Sequence, residues 1–310
     1  MDLVVKSPRI PAVGETILGE DFIMTPGGKG ANQAVAAAKL GATVYLVAKL
    51  GDDLFGAESL SNFEKTGVKT EYVVQTKDCP SGVALITVDR AGNNVIVVAP
   101  GANQKLSAED VKAAGPVIAS AGALVAQLEV PLATVEFAAR LAHDCRVPFI
   151  LDPAPAQELG PELLKMIDVL KPNESEAGIL TGIEVADEGS ARAACKSLLN
   201  RGVKAVILTM GAKGFLLARR GGLANAEGAQ FVPAVEVNAV DATAAGDAFA
   251  GSLAVGLAQG QKLLDAALFA NYVAALSVTK MGAQSSMPSR REVEAFRKKC
   301  TQGEKNEKVQ

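Results

Sequence analysis

Residues 241–247 read Asp-Ala-Thr-Ala-Ala-Gly-Asp, and they open an apolar run at 248–258 that is typical of a helix. The small residues allow a tight turn that leaves the N–H groups of Ala244, Ala245 and Gly246 unpaired. Free donors at the positive end of a helix macrodipole can hold a phosphate group that develops negative charge. The stretch therefore predicts an anion hole, with Asp247 in the first helical turn facing the same spot. The alternative is that Asp247 only stabilises the helix dipole and that the small residues only pack.

The composition indicates one large α/β domain that acts on small molecules. At 310 residues, with 49% hydrophobic content, the chain can bury a sizeable core, and a single domain over residues 1–310 is favoured over two independent ones. The net charge is −3, with 31 basic and 34 acidic residues well mixed. No long-range field therefore favours nucleic acid or a membrane surface as the partner.

Cysteine usage and the N-terminal segment indicate a reducing compartment. The four cysteines are far apart and form no Cys-x-x-Cys pair, which argues against a zinc site or a disulfide framework. Prolines and charges interrupt the N-terminus, and the longest uncharged run, 113–128, is broken by Gly and Pro, so neither a signal peptide nor a transmembrane span is evident. We therefore expect a cytoplasmic protein.

Two regions with β-like sequence lie apart from the main alternating pattern. Residues 3–24 contain short β-like segments separated by Pro8, Pro11 and Gly14, and residues 83–99 contain two β-like runs around a turn at 91–93. The second region is typical of a β-hairpin. We expect the two regions to form a small four-stranded lid sheet. Because open strand edges often pair across a dimer, we also expect a homodimer through the lid strands.

From residue 111 onward, short apolar strands alternate with amphipathic helices. Strands are predicted at 123–127, 147–152, 168–171, 205–210, 215–218 and 230–235, after an earlier helix at 31–40 and strand at 43–50. Helices are predicted at 132–144, 161–167, 174–181, 190–201, 246–258, 263–279 and 291–299. This alternation is typical of a mostly parallel central sheet with helices on both faces. The polar tail 302–310 is expected to be disordered.

Polar residues follow the ends of the predicted strands. Glu129 and Asp152 each follow one strand, and the segments 171–176 and 209–214 follow two others. In open α/β sheets ligands bind beyond the carboxyl ends of the strands, so these residues predict a binding site. Each has an ordinary alternative, because 173–176 resembles a helix capping box and 209–214 could be a plain turn.

Four motifs occur in a fixed order and spacing. They are Gly27-Gly28-Lys29-Gly30-Ala31-Asn32-Gln33, Asn173-Glu174-Ser175-Glu176, Thr209-Met210-Gly211-Ala212-Lys213-Gly214 and the stretch 241–247. Further segments agree with them: 14–16, 51–53, 152–155 and 282–286. On these residues the chain resembles the ribokinase group of carbohydrate kinases over nearly its whole length. The loop 27–30 is not a Walker A motif, because Lys29 is not followed by Ser or Thr.

The resemblance implies a ribokinase-like α/β fold and an ATP-dependent sugar kinase, with D-ribose phosphorylated at its 5-hydroxyl. In that interpretation Asp247 is the catalytic base. The sugar would be bound by Asp247 together with Asp2, Gly28, Lys29, Gly30, Ala31, Asn32 and Glu129. A relative acting on deoxyribose, fructose or a nucleoside, and a sugar-binding protein that no longer catalyses, are the alternatives.

The resemblance also implies a nucleotide site and two ions. ATP would be bound by Asn173, Thr209, Met210, Gly211, Ala212, Lys213, Gly214, Gly246, Asp247 and Asn271. Asn173 and Glu176 would orient the waters of Mg²⁺ bridging the phosphates. A monovalent cation, K⁺, would lie beside the anion hole, bound by Asp241, Thr243, Ser277, Lys280, Gly282 and Ser286.

The sequence departs from the family pattern at two places. Many relatives have Asp-Thr-x-Gly-Ala-Gly-Asp where this chain has Ala242 and Ala244, from which we expect at most a modest change in loop stiffness. The relatives begin with a buried strand followed by Gly-Ser-x-Asn-x-Asp, and this sequence starts just before that Asp, which is Asp2 here. We therefore expect the natural chain to carry roughly a dozen further N-terminal residues that form an apolar strand.

Overall fold

Strands and helices alternate along the residues that the computed structural model describes, 1–222 and 228–307. The strands are β1 (Asp2–Lys6), β2 (Asp21–Thr25), β3 (Ala48–Gly51), β4 (Val73–Thr76), β5 (Val83–Val88), β6 (Asn94–Ala99), β7 (Leu124–Ala126), β8 (Phe149–Leu151), β9 (Val169–Leu170), β10 (Ala205–Thr209), β11 (Gly214–Arg219) and β12 (Ala229–Pro233). The α-helices are α1 (Lys29–Lys39), α2 (Leu54–Thr66), α3 (Ala108–Ala113), α4 (Gly115–Ala119), α5 (Leu132–Cys145), α6 (Pro161–Met166), α7 (Glu174–Thr181), α8 (Glu188–Asn200), α9 (Ala245–Ala258), α10 (Leu263–Ser277) and α11 (Arg290–Glu307).

The central sheet has the strand order β12-β11-β10-β9-β8-β7. Strands β7 to β10 are parallel, and β11 and β12 add antiparallel edges. Neighbouring residues of one strand point to opposite faces, so Val206 packs in a cluster with residues of α5 to α8, whereas Ile207 packs with residues of α9 and α10. The predicted mostly parallel sheet with helices on both faces is therefore confirmed.

The lid is a separate four-stranded sheet in the order β2-β1-β5-β6. Strand β1 pairs antiparallel with β2 and parallel with β5, and β5 and β6 form the predicted hairpin. The predicted lid sheet is confirmed. Every residue of β6 is exposed, including Val97 at 60%. The lid therefore exposes an unusually large apolar surface to solvent.

Two elements between the lid and the central sheet differ from the sequence prediction. The strand predicted at 43–50 is shorter, and as β3 it pairs in parallel with β4, a strand that the pattern did not indicate. Helix α2 was also missed, although its cap residues are present in the sequence. The Asp53 side chain accepts a hydrogen bond from the N–H group of Gly56, and Gly67 ends the helix with φ 81°.

The C-terminal region is helical as far as Glu307, which differs from the disordered tail predicted for 302–310. Residues 308–310 lie outside the described residues. Within the described ranges, no helix is both long enough and apolar enough to span a membrane.

Candidate active site

The carboxyl ends of the parallel strands meet the first turns of two helices. Gln127 and Glu129 follow β7, Asp152 follows β8, and Lys171 follows β9. The N-termini of α1 and α9 approach the same edge, since side chains of α1 contact Asp247 on α9 and Asp152 beyond β8. The polar groups that the sequence places after separate strands therefore gather in one site.

Asp247 lies in the first turn of α9 and is 5% exposed. One carboxylate oxygen, Oδ2, accepts a hydrogen bond from Asn32 Nδ2 at 2.9 Å, and the other, Oδ1, accepts one from Gln33 Nε2 at 3.0 Å. Burial raises the pKa of Asp247; the positive charge of Lys29 opposes that shift, and the negative charge of Asp152 adds to it. The carboxylate is thus fixed in orientation and made more basic than an exposed aspartate.

The turn before α9 exposes backbone donors. Ala244 adopts a left-handed conformation with φ 59°, which turns the chain into the helix. Among the described residues, no backbone or side-chain acceptor receives the N–H groups of Ala244 and Gly246. The N–H group of Ala245 donates to Ala242 O at 3.2 Å, so the prediction that it would also be unpaired is wrong. Ala244, with its left-handed backbone, closes a short turn, and within this turn the Ala245 N–H group forms its hydrogen bond to Ala242 O.

Of the residues assigned to the sugar, Asp2, Gly28, Gly30, Ala31 and Glu129 line a cavity of about 580 Å³, whereas Lys29, Asn32 and Asp247 are not part of its lining. Glu129 Oε2 accepts a hydrogen bond from the backbone N–H of Lys29 at 2.9 Å, which anchors the loop 27–30. Asp2 lies against Gly27, where any β-carbon would overlap the Asp2 carboxyl group. Burial raises the pKa of both Asp2 and Glu129. Asn32 Oδ1 is buried without a hydrogen-bond partner, so this oxygen is an acceptor available to a ligand.

Asn173 and Glu176 form the capping box that the sequence allowed as an alternative. Asn173 Oδ1 accepts from Glu176 N at 2.8 Å, and Glu176 Oε2 accepts from Asn173 N at 2.9 Å. Asn173 also pairs with Thr209 at the end of β10, which brings two assigned nucleotide segments together. Burial raises the pKa of Glu176, and the nearby Asp152 charge adds to the shift. The cap fixes the orientation of both side chains.

Other residues assigned to the nucleotide hold the backbone around the segment 209–214. Met210 N donates to Gly214 O at 2.8 Å, and Lys213 Nζ donates to Ala186 O at 3.1 Å. Asn271 Nδ2 donates to Pro233 O at 2.9 Å, at the end of β12. The loop is therefore braced by β12 and α10, with Gly211 and Ala212 exposed at its tip.

Gly214→Ala is expected to destabilise the protein by roughly 3 kcal/mol or more. Gly214 has φ 120° and ψ −137°, a conformation that glycine alone tolerates, and a methyl group there would overlap the backbone of Val232 and Ala234. Thermal unfolding measures the loss. Gly211→Ala is the matched control, because φ 52° with open space around it should cost only about 1–2 kcal/mol. Equal melting temperatures for the two variants would contradict the prediction.

Asp241 connects the turn before α9 to the segment 282–286. Its Oδ1 accepts from Thr243 N at 2.9 Å, and its Oδ2 accepts from Gly282 N at 2.8 Å. Burial alone would raise the pKa of Asp241, but hydrogen bonds from Thr243 and Gly282 outweigh it and lower the pKa. Ser277 Oγ and Ser286 Oγ donate to Ala274 O and Ala283 O, respectively. Lys280 Nζ pairs with Glu292 at 2.7 Å, so only its backbone is available to an ion.

The donor set fits the ions that the resemblance implies. Within residues 1–222 and 228–307, no three His, Cys, Asp or Glu side chains gather as a metal cluster. Mg²⁺ keeps most of its waters and needs only one or two carboxylates besides substrate phosphates, so a Mg²⁺ site of this kind does not require such a cluster. Asp152 Oδ1, near Glu176, is a buried oxygen without a hydrogen-bond partner. The ionised Asp241 carboxylate is a suitable oxygen ligand for K⁺.

Sequence reasoning gave no specific role to four residues that the structure places in the site: Gln33, Gln127, Asp152 and Lys171. The sequence does point to three of them, because Asp152 and Lys171 each come directly after a strand and Gln33 is the last residue of the motif at 27–33. Gln127 is different, because it contacts Gln33 from the end of β7 and only the fold reveals this contact. His143 is exposed late in α5 and is not part of the site.

Known proteins resemble this chain over nearly its whole length. A ribokinase of Haemophilus influenzae is 42% identical over 295 residues, covering 95% of this chain and 94% of that protein. A deoxyribokinase of Salmonella typhi is 41% identical over 290 residues, covering 93% of each chain. The structure of Arabidopsis thaliana ribokinase complexed with ribose and ATP is similar with a TM-score of 0.86, 31% identity and 95% coverage of each chain. The model of the pfkB family carbohydrate kinases matches residues 1–290, and the chain therefore belongs to that family.

Proposed function

We propose that this carbohydrate kinase transfers the γ-phosphate of ATP to the 5-hydroxyl of D-ribose. As a pfkB family member the chain is an ATP-dependent sugar kinase, so the alternative of a non-catalytic sugar-binding protein is set aside. The ribokinases among its relatives support ribose as the acceptor. The observation that carries the chemistry is the buried Asp247, held by Asn32 and Gln33 beside free backbone donors.

Asp247 acts as the general base in this proposal. It takes the proton of the sugar's 5-hydroxyl as that oxygen bonds to the γ-phosphorus, and the bond from the γ-phosphorus to the bridging oxygen breaks to release ADP. The N–H groups of Ala244 and Gly246 stabilise the charge that develops on the transferring group. Asp2, Asn32 and Glu129 accept hydrogen bonds from the other sugar hydroxyls, a role supported by the unpartnered Asn32 Oδ1 and by the partly buried carboxylates of Asp2 and Glu129.

ATP lies along the segment 209–214 and the N-terminus of α9 in this proposal, with Asn173 and Glu176 holding waters of a Mg²⁺ ion. When bound, Mg²⁺ neutralises charge on the β- and γ-phosphates. The exposed tip of the loop at Gly211 and Ala212 leaves room for the adenosine moiety. The free thiols at all four cysteine positions support a cytoplasmic location, where ATP is also abundant.

A deoxyribose kinase is the second candidate, because deoxyribokinases match this chain as well as several ribokinases do. Ribose and deoxyribose differ by one hydroxyl, and a site built to bind that hydroxyl discriminates strongly against its absence. An ADP-coupled assay with ribose, deoxyribose, fructose and a nucleoside separates the candidates. A kcat/KM for ribose below that for deoxyribose or any other acceptor would overturn the proposal.

The pH dependence should show an acid limb set by Asp247. Only the carboxylate can accept the proton, so kcat falls as the pH decreases through the pKa of this group. Burial raises that pKa, which places the limb above the usual aspartate value of about 3.9. Because the Lys29 charge lowers the pKa, Lys29→Met should move the limb to higher pH. A limb in the variant at lower pH than in the wild type would contradict the assignment.

A K⁺ site at Asp241 leads to a salt-dependent prediction. Activity in K⁺ should exceed activity in an equal concentration of a large organic cation several-fold, because only a small bare ion fits among backbone oxygens and one carboxylate. Asp241→Ala should abolish the difference. Lys280→Met is the control, since its side chain binds Glu292 and only its backbone is assigned to the ion. Equal rates in both salts would remove the ion from the proposal.

A homodimer through the lid is proposed from the exposed apolar side chains of the lid sheet. Phe22, Val95 and Val97 are 57%, 48% and 60% exposed; they lie on the two edge strands, and the strand register places them on one face of the sheet. A second copy covering this face would remove them from water. Light scattering measures the mass, and Val97→Lys is expected to give monomers. A wild-type monomer at micromolar concentration would overturn the dimer.

A further inference from the structure

We propose that the buried pair of Lys171 and Asp152 positions both the base and the anion hole for phosphoryl transfer. The two side chains follow β9 and β8, their charged atoms lie 3.0 Å apart, and they are 4% and 2% exposed. The inference rests on the proposed roles of Asp247 and of the donors around Gly246. Lys171 is a positioning residue here, because it acts through the groups that would touch the substrates.

Stability does not explain this pair. Removing two charges from water costs about as much as their attraction returns, so buried ion pairs are often no more stabilising than apolar residues of the same size. Lys171 also lies at the N-terminus of α9, the positive end of the helix macrodipole, where a cation is electrostatically unfavourable. A bound phosphate anion beside the same helix end would relieve that repulsion. The arrangement therefore indicates a role in binding negative charge.

One end of the pair reaches the anion hole. Lys171 Nζ donates to the carbonyl oxygen of Gly246 at 3.3 Å, and a β-carbon on Gly246 would lie 3.2 Å from the same nitrogen. The peptide that joins Gly246 to Asp247 is thus held by a fixed ammonium group. Losing that group would free the first turn of α9, including the Gly246 N–H group that faces the phosphoryl group in the proposed reaction.

The other end reaches the base. Asp152 Oδ2, the oxygen that binds Lys171, accepts a hydrogen bond from Gln33 Nε2 at 2.9 Å. The same Gln33 nitrogen donates its second hydrogen to Asp247 Oδ1 at 3.0 Å, while Gln33 Oε1 accepts from Gln127. All polar atoms of the Gln33 side chain are therefore engaged. Asp152 fixes the orientation of this amide, and the amide in turn fixes the carboxylate that accepts the proton.

The test compares two single variants, Lys171→Met and Asp152→Asn, with the double variant that carries both changes. Each single change leaves one buried charge unpaired, so both should lower the melting temperature. The double change removes both charges and should recover most of that loss. If the pair positions the site, kcat of the double variant should nevertheless stay at least 30-fold below wild type, on the order of the effect of losing a well-placed group, with KM for the sugar within about threefold.

The matched control is the partly exposed pair of Lys204 and Asp168, which lies before β10 and β9 at the opposite end of the strands, with charged atoms 2.7 Å apart. Neutralising it as Lys204→Met with Asp168→Asn should leave kcat unchanged. Recovery of kcat together with melting temperature in the Lys171→Met/Asp152→Asn variant would show a purely structural pair and overturn the inference.

Gln33→Met provides a second route if the charge variants do not fold. It breaks the link between Asp152 and Asp247 without changing any charge, and kcat should fall while sugar KM changes little. A kcat equal to that of the wild type in this variant would overturn the inference but leave the proposed function standing. Absence of ADP release by the wild-type protein with every sugar would overturn the proposed function and this inference together, so the two failures are distinguishable.

Discussion

Asp247→Asn should lower kcat by roughly two or more orders of magnitude, the usual scale for loss of a general base. Asparagine keeps the shape of the side chain but cannot take the sugar's proton. Its amide group would also face one of the two donors that now bind the carboxylate, Asn32 Nδ2 and Gln33 Nε2. Because removal of a buried charge offsets part of that lost bond, the fold and much of the affinity for ATP should remain.

Asp265→Asn is the matched control for this variant. Asp265 also lies in the first turn of a helix, α10, but it is exposed. The alternative interpretation of Asp247, an acid that only stabilises the helix dipole, predicts small and similar effects for the two substitutions. Steady-state kinetics and thermal unfolding of both variants separate the interpretations, and a kcat for Asp247→Asn within tenfold of wild type would exclude Asp247 as the base.

The central sheet could be predicted from sequence because its pattern is local. Its strands β7 to β9 are short apolar runs between helices, and the turn at 91–93 identifies the lid hairpin in the same way. Helix α2 and strand β4 lack such a pattern. Only Gly56 and Phe63 of α2 are buried, and β4 is defined by its pairing with β3 rather than by alternation along its own sequence. Where burial is slight, tertiary pairing decides the structure, and a local pattern does not reveal it.

The site was predictable to the extent that it lies at strand ends and helix starts. Asp247, Glu129 and Asn173 could be named from those positions alone. The contacts among them could not, because Gln33 is 119 residues from Asp152 and 214 from Asp247. The wrong expectation for the Ala245 donor has a local cause. It depends on the left-handed backbone of Ala244, a conformation that alanine rarely adopts and a pattern of small residues does not specify.

Glu129→Gln should raise KM for the sugar by roughly 10- to 100-fold, since a hydrogen bond to a charged group contributes about 1.5–3 kcal/mol. One carboxylate oxygen, Oε2, already accepts the Lys29 N–H group at 2.9 Å, which leaves Oε1 for a sugar hydroxyl. A glutamine can keep only one of these two acceptors, because its amide nitrogen must face either the loop or the sugar. kcat should change less, as Glu129 binds a part of the sugar that does not react.

The outcome for Glu129 is informative because two roles of the residue predict different kinetics. If it binds the sugar, the affinity for sugar measured by calorimetry falls with KM, and the KM for ATP stays near its wild-type value. If it only anchors the loop 27–30, the loosened loop shifts Asn32 and with it the base, so kcat should fall instead. Glu162→Gln is the control, since Glu162 is exposed and pairs with Lys165. An unchanged sugar KM with a reduced kcat would assign Glu129 to the loop and remove it from the sugar site.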